Sequence, residues 1–150
     1  MVCLGNICRS PLAEGIMKKK VEEKNLSWSV DSAGTGSWHI GDLPDSRSIS
    51  TAHNYGIDIT DQRARQFKPA DLDSFDLVLA MDSSNYRDIV RHAVSEEQIK
   101  KVHLIMNFLK PGYNENVPDP YWDDNGFDNV YKMLDAACEK VVEEYMVLQD

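Results

Sequence analysis

The sequence predicts an α/β fold with a mainly parallel sheet, and three observations point to it. Short apolar runs alternate with amphipathic segments four times along 150 residues, the pattern of repeated strand–helix units. Leu77-Val78-Leu79-Ala80-Met81 is an unbroken apolar run between aspartates, which suits a strand covered on both faces. No repeat, low-complexity tract or long linker interrupts the chain, so residues 1–150 are expected to form one domain around one core.

Taken in order, Ser10 to about Lys24 reads as a helix, with Ser10 at the N-cap and Pro11 in the first helical position. Its apolar stripe is Leu12, Ala13, Ile16, Met17 and Val21. Trp28 to Ala33 alternates like a strand, and Gly34 to Pro44 is a polar, glycine-containing loop before a helix over Asp45–Asn54. The run at Leu77–Met81 should feed a helix capped near Ser83, with Tyr86, Ile89, Val90 and Ala93 turned inward. Val102 to Leu109 begins as a further buried strand. Gly126 to Leu148 holds a long helix with the stripe Phe127, Val130, Leu134, Ala137, Cys138, Val141 and Tyr145. In sheets of this class, sites form at the carboxyl ends of the strands.

Composition narrows the function classes. Hydrophobic residues at 42% and charged residues at 27% describe a globular chain. No apolar run reaches membrane-span length and no basic-then-apolar leader opens the sequence, so a cytoplasmic location with no membrane partner is expected. A formal charge of -9 argues against nucleic acid as a partner, so any anionic ligand must be held by a local positive pocket. The three cysteines Cys3, Cys8 and Cys138 form no C-x-x-C, and His39, His53, His92 and His103 have no ligand-like spacing. Neither a disulfide framework nor a metal site is expected, and no cofactor is implied.

The chemistry concentrates in Cys3-Leu4-Gly5-Asn6-Ile7-Cys8-Arg9-Ser10. A phosphate monoester needs an in-line nucleophile and a cradle of donors for its charged equatorial oxygens. Backbone amides of a strand-to-helix turn supply such a cradle, reinforced by the helix N-terminus. Gly5 and Asn6 tolerate the left-handed dihedrals of a loop curled around an anion. Arg9 offers a planar fork for two oxygens. Cys3 stands where amide dipoles and Arg9 would stabilise a thiolate, and Ser10 can donate to its sulfur. Cys8, on the same loop, is either a redox partner for Cys3 or a small apolar residue packed beneath it.

The run from Cys3 to Pro11 fits C-x-G-N-x-C-R-S-P, which resembles the signature of the low-molecular-weight protein tyrosine phosphatases. Asp31-Ser32-Ala33-Gly34-Thr35, Trp38, Gly56-Ile57, Ala64-Arg65-Gln66, Met81-Asp82 and Asp119-Pro120-Tyr121 extend the resemblance along nearly the whole chain. It implies a four-stranded parallel sheet flanked by helices, with the phosphate-binding loop between the first strand and the first helix. It further implies that Cys3 is the nucleophile, that Arg9 and the amides from Leu4 to Cys8 bind phosphate, and that Asn6 and Ser10 hold the loop's shape. Asp82 would support the loop from behind. The implied substrate is a phosphotyrosine-containing protein or another aryl phosphate.

Expelling a tyrosinate needs a proton donor, and Asp119, set between Pro118 and Pro120, matches the family's D-P-[YF] motif as general acid. Trp38, Tyr121 and Trp122 would wall a crevice for the phenyl ring. Ile7 stands where related arginine phosphatases place threonine, which favours phosphotyrosine. Three departures accompany the resemblance. Gln62 replaces a common histidine, and Trp122 a frequent second tyrosine. Only Met1 and Val2 precede Cys3, too few for a full strand, so either that strand is short or the sequence starts downstream of a native start. Two rival functions are an arsenate reductase, for which Cys138 is the sole distal cysteine, and a phosphopeptide-binding module without turnover.

Overall fold

A parallel strand buried on both faces sends alternate side chains into two different layers, and the short strands here do so. The computed structural model describes residues 1–149. The chain runs β1 (Val2–Cys3), α1 (Arg9–Glu23), β2 (Ala33–Gly34), α2 (Ser46–Asn54), α3 (Asp71–Ser74), β3 (Val78–Ala80), α4 (Ser83–Val90), α5 (Glu96–Ile99), β4 (Val102–Leu104) and α6 (Gly126–Met146). Short 3₁₀ turns cover Ile105–Phe108, Pro120–Trp122 and Val147–Gln149.

The strands form one parallel sheet in the order β2-β1-β3-β4, so the expected α/β class with a four-stranded sheet holds. Cys3 and Leu79 face a layer built with α1 and α6, where Leu12, Ile16, Val130, Leu134 and Val141 are buried. Val2, Val78, Ala80, Val102 and Leu104 face the other layer, joined by Ile89 of α4 and Leu72 of α3. Residues Arg9 to Met17 of α1 are all buried, so the start of this helix lies inside the molecule rather than along its surface. No described helix is long and apolar enough to cross a membrane.

Several local expectations change. The helix after the loop starts at Arg9 with Cys8 as N-cap and no side-chain cap, so Ser10 is not the cap. Its hydroxyl is committed elsewhere, to Cys3 and Asn6. Pro11 accordingly lies third in the helix, still within the first turn, where a missing N–H costs nothing. Of the expected strand over 28–33, only Ala33 enters the sheet, because β1 offers partners only to Ala33 and Gly34. The cap of α4, expected near Ser83, is Asp82, which forms a reciprocal capping box with Asn85. The apolar run from Val102 stops being a strand at Leu104 and turns into the 3₁₀ segment. The one-turn helices α3 and α5 carried no periodic signal.

The site follows from β1 and β3 lying side by side in parallel. Their carboxyl ends release the Cys3 loop and Asp82 at the same edge of the sheet. The Val117 amide donates to the Met81 carbonyl at 2.8 Å, which draws the segment leading to Asp119 to that edge as well.

Candidate active site

Cys3 is the last residue of β1, and its sulfur is held within a ring of polar groups. The Asn6 amide donates to Sγ at 3.3 Å, and Ser10 Oγ lies 3.0 Å from it. Asn6 Nδ2 donates to Ser10 Oγ at 2.8 Å, which leaves the Ser10 proton free to point at the sulfur. The same Nδ2 donates to Ser32 Oγ at 2.9 Å, and Asn6 Oδ1 accepts from the Arg65 amide at 3.0 Å. With its side chain satisfied on three sides, Asn6 holds φ at 57°. Gly5 does not share that left-handed conformation. Its missing Cβ instead makes room for His39, whose ring would stand 3.2 Å from such an atom. Gly34 serves the loop from β2, since a Cβ there would come within 2.8 Å of the Leu4 carbonyl oxygen.

Arg9 is buried to 3% exposure, a costly place for a cation without partners. Its Nη1 donates to Asp82 Oδ2 at 2.6 Å and to the Val117 carbonyl at 3.0 Å. Nη2 lies 3.8 Å from Asp119 Oδ2. Asp82 divides its carboxylate, since Oδ1 accepts from the Asn85 amide at 2.8 Å while Oδ2 holds Arg9. One edge of the guanidinium is thereby fixed, and the other is directed toward Asp119, which is 43% exposed at the rim. Asp119 Oδ1 also accepts from the Tyr121 amide at 3.1 Å, so the carboxylate caps its own turn.

Cys8 and Ile7 pack beneath the loop with Ala64 and Phe127. Burial, joined by the negative charge of Asp45, pushes the Cys8 thiol up to about 12. Trp38 rests its ring against Gly36, whose amide donates to the Leu4 carbonyl at 2.8 Å, so it borders the loop. Tyr121 is partly exposed, and Trp122 meets it edge-on at 4.9 Å between ring centroids while remaining 90% exposed. Leu4 is exposed on the loop itself.

Some residues of this neighbourhood were invisible to pattern reading. Ser32 relays the Asn6 contact to Glu14 by donating to Oε1 at 2.7 Å, and Lys18 donates to Oε2 at 2.6 Å. Glu14 interrupts the buried face of α1, and a carboxylate in an apolar stripe was the available signal. Gln62 donates to the Pro11 carbonyl at 3.0 Å and takes no part in the Asn6–Ser10–Ser32 contacts. A groove of about 360 Å³ lies between α1 and residues 56–62, lined by Lys18, Lys19, Asp58, Asp61 and Gln62 among others. It includes no residue of the Cys3–Ser10 loop. Among the described residues no group of three or more His, Cys, Asp or Glu side chains is placed to hold a metal ion.

The family model described as "Low molecular weight phosphotyrosine protein phosphatase" matches residues 1–147. The human low molecular weight phosphotyrosine protein phosphatase is 38% identical over 146 residues, covering 95% of this chain and 92% of that protein. The crystal structure of YfkJ from Bacillus subtilis superposes with a TM-score of 0.92 at 33% identity, covering 99% of this chain and 94% of that one. A Drosophila arginine phosphatase superposes with a TM-score of 0.89 at 33% identity, covering 96% and 94% of the two chains. A parallel sheet that delivers a cysteine, an arginine and a distant aspartate to one edge thus coincides with a full-length family match, and the chain belongs to the low molecular weight phosphotyrosine protein phosphatase family.

Proposed function

We propose that this chain, acting as a single phosphatase domain, hydrolyses phosphotyrosine in proteins, and other aryl phosphates, through a phosphocysteine intermediate on Cys3. The observation that carries this reading is the convergence of Cys3 and Arg9, from one loop, with Asp119 from a distant segment. Arg9 lies 3.8 Å from Asp119, and the Cys3 sulfur is poised by Asn6 and Ser10. In the first step the Cys3 thiolate attacks phosphorus, the phosphorus–phenolate bond breaks, and Asp119 gives its proton to the leaving oxygen. Ser10 stabilises the sulfur whenever it is anionic. Arg9 and the loop amides from Leu4 to Cys8 hold the equatorial oxygens. In the second step the Asp119 carboxylate takes a proton from water, the hydroxide oxygen attacks phosphorus, and the sulfur–phosphorus bond breaks to release phosphate and the thiolate. Trp38, Tyr121 and Trp122 offer the phenyl ring apolar surface. The three free cysteines suit a reducing cytoplasm, and the net charge of -9 disfavours nucleic acid.

Ile7, apolar and packed with Phe127, supports the phosphotyrosine reading over phosphoarginine. Cys138 is fully buried in the core on α6, and burial pushes its thiol up to about 12, which disfavours a redox relay of the arsenate reductase kind. Initial rates with phosphotyrosine, phosphoarginine and arsenate plus dithiothreitol separate the readings. Phosphotyrosine hydrolysis is expected to dominate, and a higher kcat/KM for phosphoarginine, or thiol-dependent arsenate consumption, would refute the assignment.

Oxidation provides a second check. Peroxide converts the Cys3 thiolate to a sulfenic acid, and attack by the Cys8 sulfur then gives a disulfide and water. Because the Cys8 thiol is pushed up to about 12, the second step awaits loss of a tightly held proton and a shift of the loop. Peroxide-treated protein is expected to yield a Cys3–Cys8 linked peptide and to regain activity with dithiothreitol, with inorganic phosphate slowing the loss. Cys8→Ser should lose activity irreversibly. Full thiol rescue of that variant would remove any protective role for Cys8.

A further inference from the structure

We propose that Arg47 is a positioning residue that holds Asp119 and Tyr121 against the phosphate loop. The proposal rests on the reading of Asp119 as the general acid. Arg47 lies in the first turn of α2 and belongs to neither the loop nor the Asp119 segment. Its Nε and Nη2 grip the two oxygens of Asp45 at 3.0 and 2.9 Å. Its Nη1 donates to Asp124 Oδ1. The guanidinium carbon lies 5.5 Å from the Tyr121 ring centroid and 4.7 Å from that of Phe127. A planar cation set over two rings, with its edges taken by two carboxylates, has little freedom left.

The partners of Arg47 decide what this grip connects. Asp45 donates its amide to the Ile7 carbonyl at 2.8 Å, and Ser48 donates its hydroxyl to the Cys8 carbonyl at 3.1 Å. The first turn of α2 is therefore bound to the phosphate loop at two consecutive carbonyls. On the other side, Asp124 and Tyr121 belong to the segment 118–125, which carries Asp119. Among the described residues, the ion pairs joining this segment to the rest of the molecule are Arg9–Asp119, at 3.8 Å, and Arg47–Asp124. The first is long and lies at the reacting centre itself. The second anchors the segment from outside the reacting centre, while Phe127 pins its far end under Ile7 and Cys8. The geometry makes Arg47 the brace between the nucleophile's loop and the acid's turn.

A brace that acts through Asp119 has a signature that general destabilisation lacks. Stopped-flow phosphorylation rates across aryl phosphates of rising leaving-group pKa are the readout, with inorganic phosphate inhibition as a measure of the loop. Arg47→Ala is expected to slow poor leaving groups by roughly 10- to 100-fold, the scale on which small misplacement of a catalytic group acts. Good leaving groups and phosphate affinity should change little, and Arg47→Lys should recover part of the loss. Asp124→Asn removes the outer anchor at an 82% exposed side chain, where folding is not at risk, and should steepen the same series. A uniform loss across leaving groups, weakened phosphate binding, or wild-type behaviour of Asp124→Asn would overturn the proposal, and Asp124→Asn decides it if Arg47→Ala does not fold. Asp119→Ala run in parallel separates the two levels. If its series stays flat, the acid assignment itself has failed and the brace falls with it. If its series steepens and that of Asp124→Asn does not, only the brace has failed.

Discussion

Cys3→Ser is expected to abolish turnover of every phosphate ester while leaving inorganic phosphate binding close to that of the unaltered protein. The two halves of this result have different origins in the loop. On the proposed mechanism turnover depends on the sulfur, because the phosphocysteine cannot form on a hydroxyl that has no base beside it. The groups nearest to Sγ, Ser10 Oγ and the Asn6 amide, are hydrogen-bond donors to it rather than proton acceptors. Loss on the order of 10⁵-fold or more is the scale for removing a covalent nucleophile that works as part of a unit. On the proposed reading, binding depends on the loop amides and on Arg9, whose salt bridge to Asp82 at 2.6 Å does not involve Cys3. Steady-state assay and titration with phosphate, on the same preparation, give both numbers. Residual turnover well above background in Cys3→Ser would end the covalent mechanism.

Asp119→Ala should carry the second-largest effect. The carboxyl lies at the rim, 43% exposed, with Arg9 3.8 Å away and its other oxygen on the Tyr121 amide. On the proposed reading, that placement would let Asp119 reach a leaving oxygen at the rim. A missing general acid slows phosphoryl transfer by roughly 10²–10⁴-fold for phenols that need protonation, and far less for phenols that leave as stable anions. Pre-steady-state phosphorylation over a leaving-group series therefore tests the role directly. Equal losses along the series would assign the acid to another group, with Asp123 and Asp124 the nearest in sequence.

Legibility in the sequence tracked how local each feature is. The stripe of α6 and the unbroken run of β3 follow from hydrophobic periodicity, which nearest neighbours along the chain determine. The cap of α1 was misread because Ser10 spends its hydroxyl on Cys3 and Asn6, a contact that nothing beside Ser10 announces. The segment at 28–33 alternates as a strand does, yet a strand exists only where another backbone pairs with it. The neighbours that shape the site are further removed still. Ser32 touches Asn6 from 26 residues away, and Arg47 reaches Asp124 across 77. No periodicity links such positions, and His39 met Gly5 only once the chain had folded. Asp119 was singled out because its motif resembles one already known, since between two prolines it otherwise reads as a turn.

The partners of Arg9 have a bearing on how the protein is made. They lie 73 and 108 residues further along the chain, at Asp82 and Val117. Synthesis proceeds from the N-terminus at about 5–20 residues per second, so the ribosome delivers Cys3 and Arg9 first and the arginine's counter-charge seconds later. A nascent chain therefore holds the loop sequence long before it can hold the loop's geometry. Contacts of such sequence separation form late, after the entropy of closing the intervening chain has been met. If the finished cradle binds phosphate as proposed, cellular phosphate would then favour completed molecules over partly made ones by mass action.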